Sequence, residues 1–451
     1  MKRVAAQNVR ALSSSTEYFP GIDKIQYAGP DSRDPMSFKW YNADEVIAGK
    51  TMKEHLRFSA CYWHSFRGAG LDIFGAPTQL HPWDDGTNTV AECKKRADAA
   101  FEFFTKLGVE YYTFHDVDVA TAVDNLDEFN AQFSEVAEYL QQKQEETGVK
   151  LLWGTSNLFS HPRYMNGAAT NPDFHAFARG GAQVKKTMEV THALGGENYV
   201  FWGGREGFMS VLNTDMRREV DHLAAFLRMA VDYKERIGAD FQFLIEPKPR
   251  EPTRHQYDYD AQTVMGFLET YDLTDHFKLN IEPNHTTLAG HSYEHDIMVA
   301  AQYNMLGSVD ANTGDYVCGW DTDQFPMNVQ DTTHAMGFIL DQGGLGKGGL
   351  NFDCKRRRES TDLADLFLGH IGAMDTFARG LRAAVRIRED GILPGMVAAR
   401  YSSWDSGLGA KVEQGERVTF EDLEAFVKEN GEPQQISGKQ EMFEVIFNDY
   451  T

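Results

Sequence analysis

Cysteine is scarce in this 451-residue chain: Cys61, Cys93, Cys318 and Cys354 lie far apart, and no two of them make a Cys-x-x-Cys pair. That excludes a thiolate zinc site and a disulfide framework, and it points to a reducing compartment. Basic charge is also in deficit. Lys and Arg number 44 against 67 Asp and Glu, a net charge of −23, so the average surface repels nucleic-acid phosphates and anionic lipid. No run approaches the ~18 apolar residues of a membrane helix. Behind the basic Met1-Lys2-Arg3, the stretch Val4 to Ser15 mixes apolar residues with Gln, Asn, Arg and Ser and has no continuous apolar core for secretion. These absences predict a cytoplasmic protein with neither nucleic acid nor membrane as a partner.

What remains is globular: 42% of residues are hydrophobic and 25% charged, enough to bury a core. The length exceeds an ordinary domain of roughly 100 to 200 residues, so the chain is several domains or one large barrel with extensions. Between residues 57 and 355, a short run rich in β-branched and aromatic residues repeatedly ends in a polar cluster, and a helix-compatible segment follows. The eight runs are Arg57 to Trp63, Glu110 to Phe114, Lys150 to Gly154, Asn198 to Gly203, Phe241 to Ile245, Phe277 to Ile281, Leu306 to Val309 and Gly349 to Phe352. Near-continuous apolar character marks strands buried on both faces. The intervening segments have helical spacing. Val220, Leu223, Leu227 and Val231 form one apolar stripe among charges, and Ala100, Phe104 and Leu107 mark another within Ala91 to Leu107. Strict alternation predicts an α/β fold, a closed parallel (β/α)8 TIM barrel, with a doubly wound open sheet as the alternative.

The expected organisation is an N-terminal arm over residues 1–50, a catalytic barrel over 51–388 and a mostly helical C-terminal extension over 389–451. The arm carries Tyr18, Phe19, Ile22, Ile25 and Tyr27 among Gly, Pro and Ser. The extension carries Phe420, Leu423, Phe426 and Val427, then Met442, Phe443, Val445, Ile446 and Phe447. So many apolar side chains beyond a closed barrel predict packing on a neighbouring subunit, with docking on the chain's own barrel as the alternative.

In such a barrel, reactive groups sit where strands end. The ends offer Trp63, His64, His115, Asp116, Asp118, Thr155, Trp202, Glu246, Lys248, Glu282, His285, Asp310 and Asp353, with Asp321 and Asp323 between the last two strands. One acid of this kind is ordinarily a solvated charge or a helix cap. Six of them, Glu246, Glu282, Asp310, Asp321, Asp323 and Asp353, meeting at one mouth cannot all stay ionised without compensation. Divalent cations supply it. A carboxylate-dominated set with one imidazole and no thiolate suits hard Mg²⁺, with Mn²⁺ or Co²⁺ as substitutes, and six acids exceed what one ion takes, so two cations are expected. Asp321 and Asp323, read as an extended segment, would grip one ion together, and Glu282 and His285, three apart on a turn, would serve the same ion. Lys248, between Pro247 and Pro249, aims an ammonium into the pocket, where it can polarise a substrate oxygen. His115 oriented by Asp118 can move a proton near neutral pH. Trp63 and Trp202 supply flat apolar walls that suit sugar C–H faces. The glycines around Lys347 do not make a phosphate cradle, since no Ser or Thr follows that lysine.

The stretches Phe201-Trp202-Gly203-Gly204-Arg205-Glu206-Gly207, Ile245-Glu246-Pro247-Lys248-Pro249, Asn280-Ile281-Glu282-Pro283-Asn284-His285 and Gly319-Trp320-Asp321-Thr322-Asp323-Gln324-Phe325-Pro326 resemble the signature segments of xylose isomerases, in the longer class II form, over nearly the whole chain. The resemblance implies one metal held by Glu246, Glu282, Asp310 and Asp353, and a second held by Glu282, His285, Asp321 and Asp323, with Glu282 bridging. It implies that His115 with Asp118 opens the cyclic sugar and that Lys248 binds the oxygen at C1. Trp63 and Trp202 wall the pocket, with Thr155 beside them, and Phe74 enters from an adjacent subunit of a homotetramer. The implied reaction interconverts D-xylose and D-xylulose by a hydride shift between C2 and C1, with D-glucose to D-fructose as a side activity. Pro283, Thr313 and Cys354 depart from common family residues without removing a ligand. A barrel metallohydrolase and a non-catalytic sugar-binding protein are the rival readings; the single His285 among carboxylates, Lys248 and the tryptophan wall weigh against both.

Overall fold

The eight predicted runs become eight parallel strands, each buried because helices cover the outside and side chains fill the inside. They are β1 Phe58–Cys61, β2 Tyr111–His115, β3 Lys150–Thr155, β4 Asn198–Trp202, β5 Gln242–Glu246, β6 Phe277–Ile281, β7 Leu306–Asp310 and β8 Leu350–Phe352. Each pairs with the next in sequence, and β8 returns to β1 through Leu350↔Phe58, Asn351↔Ser59 and Phe352↔Ala60, closing the barrel. The open-sheet alternative is thereby excluded. The computed structural model describes residues 17–250 and 252–451; Met1-Lys2-Arg3 and the stretch Val4 to Ser15 lie outside the described residues. Among these residues no helix is long and apolar enough to cross a membrane.

The helical stripes face the barrel as their spacing requires. In helix α1, Val90–Leu107, Ala100, Phe104 and Leu107 are buried, and Phe104 stacks on Tyr112 of β2 at 5.6 Å. The helix starts where the Thr89 hydroxyl accepts the Glu92 N–H and stops at Gly108, whose φ of 84° suits a residue without Cβ. In Met216–Arg236, Leu227 and Val231 of the second stripe are buried beside Ala224, Phe226 and Ala230. Inside the barrel, Tyr111, Leu152, Trp153, Val200 and Leu244 form a separate cluster against Trp63 and Trp202. A register shift in the β2–β3 pairing sets Tyr112 opposite Leu151 but Thr113 opposite Trp153. The extra residue breaks the alternation there, so neighbours Leu152 and Trp153 both belong to the inner cluster.

The arm is latched to the barrel by charge. Phe19 is fully buried among Trp83, Phe103 and Phe367, and the Glu102 carboxylate accepts the Tyr18 and Phe19 N–H groups at 2.7 and 3.0 Å. Farther on, Asp375 of the long helix Leu363–Asp390 accepts the Lys39, Trp40 and Tyr41 N–H groups at 2.8 to 2.9 Å. After Gly391 come the helices Ile392–Tyr401, Gly407–Glu413, Phe420–Asn430 and Gln440–Asn448. The last returns to its own chain, where Phe447 stacks on His334 at 4.3 Å and the Arg386 guanidinium lies 5.1 Å from the Tyr450 ring. Phe420, Leu423, Phe426 and Val427 remain exposed.

Replacing Asp375 with Ala should release three charge-assisted hydrogen bonds at once, lowering stability by about 2 to 4 kcal/mol and accelerating hydrogen exchange at Lys39, Trp40 and Tyr41. Unchanged exchange at those amides would show that the arm is held elsewhere.

Candidate active site

Strand ends and the turns after them carry every side chain of the mouth. Glu246 ends β5, Asp310 ends β7, and Glu282 and Asp353 follow β6 and β8 directly. Glu282 caps the short helix Pro283–Leu288, whose first turn returns His285 to it, Nε2 to Oε2 at 3.0 Å. Donor atoms of Glu246, Glu282 and His285 lie within 4.8 Å of one another, as do those of Glu282, Asp321 and Asp323, and those of Glu282, Asp310 and Asp353. Glu282 belongs to all three groups. Asp321 and Asp323 do converge, but not through the extended backbone their spacing suggested: Asp323 has a φ of +41°, so a left-handed residue turns the chain there. Asp tolerates that conformation better than a branched residue does, at a cost the bonds to its carboxylate offset.

Residues that did not stand out in the sequence hold these acids. The Asn280 amide donates to Glu246 and Asp310, both at 2.9 Å; Asn312 donates to Glu282 at 2.7 Å, and Asn351 to Asp310 at 2.7 Å. Asn284 donates to both Asp321 and Asp323. Lys355 reaches Asp323 at 2.9 Å. The legible signal was spacing: Asn280–Glu282, Asp310–Asn312 and Asn351–Asp353 are each two residues apart, which puts amide and acid on one face of an extended segment. His64, noted only as a strand end, places Nε2 3.1 Å from Asp323 and 3.0 Å from Asp353.

The electrostatics follow from the crowding. Burial, then the charges of Asp310 and Asp353, hold Glu246 well above the usual carboxylate range. Burial, then Asp321, Asp353 and Asp323, do the same to Glu282. Asp310 is pushed up to about 7 by burial and Asp353. Burial opposes but does not prevent the opposite shifts at Asp321, held low by Lys248 and His285, and at Asp353, held low by His64. Burial also works against His64, yet Asp353 and Asp323 lift it to about 9. Raised carboxyls, Lys248 and His64 thus offset a charge that divalent cations would balance directly. The donor set is hard oxygen with one imidazole, and Nδ1 of His285 is buried with no hydrogen-bond partner. The residues therefore fit a pair of hard divalent ions.

Beside the acids lies a cleft of about 180 Å³ lined by Trp63, His64, His115, Trp153, Thr155, Phe159, Val200, Trp202, Glu246, Glu282, His285, Asp321, Asp323 and Asp353. His115 Nδ1 meets Asp118 Oδ2 at 3.0 Å, and the same oxygen accepts the His115 N–H at 2.8 Å. A carboxylate only accepts, so Nδ1 carries the proton and Nε2 is left as a base. Trp63 meets His115 edge-on at 4.5 Å and donates Nε1–H to Asp353 at 2.8 Å. Trp202 packs edge-on against Phe159 at 4.4 Å, with the Lys248 ammonium 5.6 Å from its ring. Lys248 also donates to Asp321 and lies 3.1 Å from His285 Nε2. Thr155 lines the cleft, but its hydroxyl donates to the Val200 carbonyl at 2.6 Å. Phe74 alone stands apart, 82% exposed on a loop. Phe159 and Trp153 complete the wall without having been singled out. Of the three departures, Pro283 sits in the first helical turn, where a missing N–H costs nothing. Thr313 pairs its backbone with Gln324, and the buried Cys354 thiol donates to the Ala311 carbonyl at 3.4 Å.

Comparison with known proteins agrees with this geometry. Residues 67–342 match the family model described as a xylose isomerase-like TIM barrel, and residues 397–451 match one described as the XylA2 C-terminal domain. A xylose isomerase of Rhodopirellula baltica is 58% identical over 96% of this chain and 98% of its own. One from Phocaeicola vulgatus is 52% identical over 97% and 100%, and one from barley, Hordeum vulgare, is 54% identical over 96% and 90%. The chain belongs to the xylose isomerase family.

Proposed function

We propose that this chain interconverts D-xylose and D-xylulose, with D-glucose to D-fructose as a side activity, in the cytoplasm and as a homotetramer. The observation that carries the reading is the convergence of three donor groups on Glu282, beside an aromatic cleft lined by the oriented His115, with the buried Lys248 next to its Trp202 wall. Glu246, Glu282, Asp310 and Asp353 would hold one divalent cation, and Glu282, His285, Asp321 and Asp323 a second, Mg²⁺ by the hardness of the donors. When bound, these ions polarise the sugar oxygens O1 and O2 as Lewis acids.

The side chains account for the rest. His115 Nε2 takes the proton of the anomeric hydroxyl O1 as the C1–O5 bond breaks, and returns it to O5; Asp118 holds the ring and steadies its positive charge. In the open chain, hydrogen moves with its electron pair from C2 to C1, while the O2 hydroxyl proton passes to O1. Lys248 donates to O1 as charge gathers there. Trp63, Trp153, Phe159 and Trp202 exclude water, which would otherwise exchange protons and weaken each of these contacts. An enediol route needs a free carboxylate base, and the acids of the mouth are bonded to Asn280, Asn312, Asn351, His64 and Lys248. Exposed Leu71, Ile73 and Phe74 support a loop that enters a neighbouring subunit's cleft.

Chelator-stripped protein should lose xylulose formation from D-xylose and regain it with Mg²⁺, Mn²⁺ or Co²⁺ added separately; equal turnover without any ion sinks the reading. Lys248→Met should keep the fold and both ions while kcat falls about a thousandfold, the scale of losing one charge-stabilising donor. Substantial isomerisation by that variant would remove Lys248 from O1. Asp323→Asn should weaken one ion of the pair and leave the other, so an unchanged two-ion titration would overturn the ligand assignment.

A further inference from the structure

A second cluster of metal-ligand chemistry lies outside the cleft. His291 and His295 stack face to face, ring centroids 3.9 Å apart and 10° from parallel. Each ring uses one nitrogen on a carboxylate: His291 Nε2 meets Asp260 Oδ2 at 3.3 Å, and His295 Nδ1 meets Asp296 Oδ1 at 2.9 Å. One donor atom each of His291, His295 and Asp296 lies within 4.8 Å of the other two. We propose that these three residues form a third cation site, separate from the barrel mouth, that takes a borderline divalent ion of the zinc type.

Three features of the cluster support this. First, an imidazole bonded to a carboxylate through one nitrogen, with the other nitrogen open, is the arrangement by which proteins orient a histidine toward a metal. Both rings have it. Second, the charge asks for a cation. Two imidazoles at stacking distance repel each other when both are protonated, and among the described residues Asp260 and Asp296 form ion pairs with histidine and not with Lys or Arg. Third, access and rigidity are combined. The imidazoles are 28% and 25% exposed, whereas the Asp296 carboxylate is 4% exposed and accepts the Ala261 N–H. Donors of a tetrahedral ion stand roughly 3.4 Å apart and imidazole lone pairs lie in the ring plane, so closing the site requires the two part-exposed rings to turn out of their parallel stack.

The donor types choose the ion. Two imidazoles and one carboxylate favour Zn²⁺, Co²⁺, Ni²⁺ or Cu²⁺ over Mg²⁺, which keeps its water against nitrogen ligands. The site also joins elements that carry the mouth. Asp260 caps the helix Ala261–Thr270 two residues after Asp258, whose backbone carbonyl accepts the Lys248 N–H. The His291 N–H donates to Thr286 in the helix that bears His285. An ion here braces both segments from outside without touching the substrate.

Chelator-stripped protein, titrated with Mg²⁺ and separately with Zn²⁺, should take up one more Zn²⁺ than Mg²⁺ per chain. His291→Ala combined with His295→Ala should lose that one Zn²⁺ while Mg²⁺ uptake and Mg²⁺-dependent turnover stay unchanged. Equal uptake of the two ions by the wild type, or an undiminished Zn²⁺ count in the variant, overturns the proposal. Should the variant lose its fold, the wild type decides alone: Zn²⁺ and not Mg²⁺ should shield His291 and His295 from diethyl pyrocarbonate, and continued modification of both refutes the site. The difference of one ion is read whether or not the mouth binds its pair, so the two readings fail separately.

Discussion

Mutual repulsion among buried carboxylates is the constraint around which this protein is built. Two like charges 4 Å apart at an effective dielectric of 20 cost about 4 kcal/mol, and a domain's whole stability is roughly 5 to 15 kcal/mol. Glu282 alone shares three donor groups with other acids. The barrel forces the meeting, because strands ending on one rim must aim their last side chains at one axis. The chain meets the cost with neutral amides that donate to two acids at once, with His64 and Lys248, and with upward shifts of the Glu246 and Glu282 carboxyls. A divalent ion at the mouth would offset the same repulsion with more charge.

The apolar side of the cleft is tied to that electrostatic side through single residues. Trp63 bonds Asp353 through its indole nitrogen and packs its ring against His115. Trp202 lies beside the Lys248 ammonium and against Phe159, which also meets His115 edge-on at 5.5 Å. A displaced indole would therefore disturb an acid, a base and the exclusion of water together. The irregular pairing of β2 with β3 matters for the same reason, since it sets Trp153 against Trp63 at 5.4 Å.

The strands were legible because burial on both faces leaves a continuous apolar run, and the mouth was legible because six of the eight runs stop at an ionisable residue, four of them at an acid. What escaped was set by tertiary context. The left-handed turn at Asp323 has no signal in the two-residue spacing of Asp321 and Asp323; it is stabilised by Asn284, Lys355 and His64, which come from three other segments. The asparagines were not singled out, although Asn280 and Asn351 lie within the predicted strand runs, each two residues before an acid. The terminal patch presented the converse problem. Its aromatic content demanded a partner, but composition does not say whose, and Phe447 finds one in His334 of its own chain while Phe420 and Phe426 stay exposed.

Separation of donor types gives the last step. Divalent transition ions bind most nitrogen and oxygen sites more tightly than Mg²⁺ does, so a protein sorts ions by donor chemistry and geometry, not by affinity alone. In this chain the mouth is oxygen-rich, with His285 the one imidazole among six acids in its donor groups, and two further imidazoles stand stacked beside Asp260 and Asp296. The two centres are linked by short stretches of chain, from Lys248 to Asp260 and from Glu282 to His295. A borderline ion drawn to the imidazole pair would leave the oxygen cage to the harder cation, so that donor chemistry sorts the two ions without the outer pair entering the reaction.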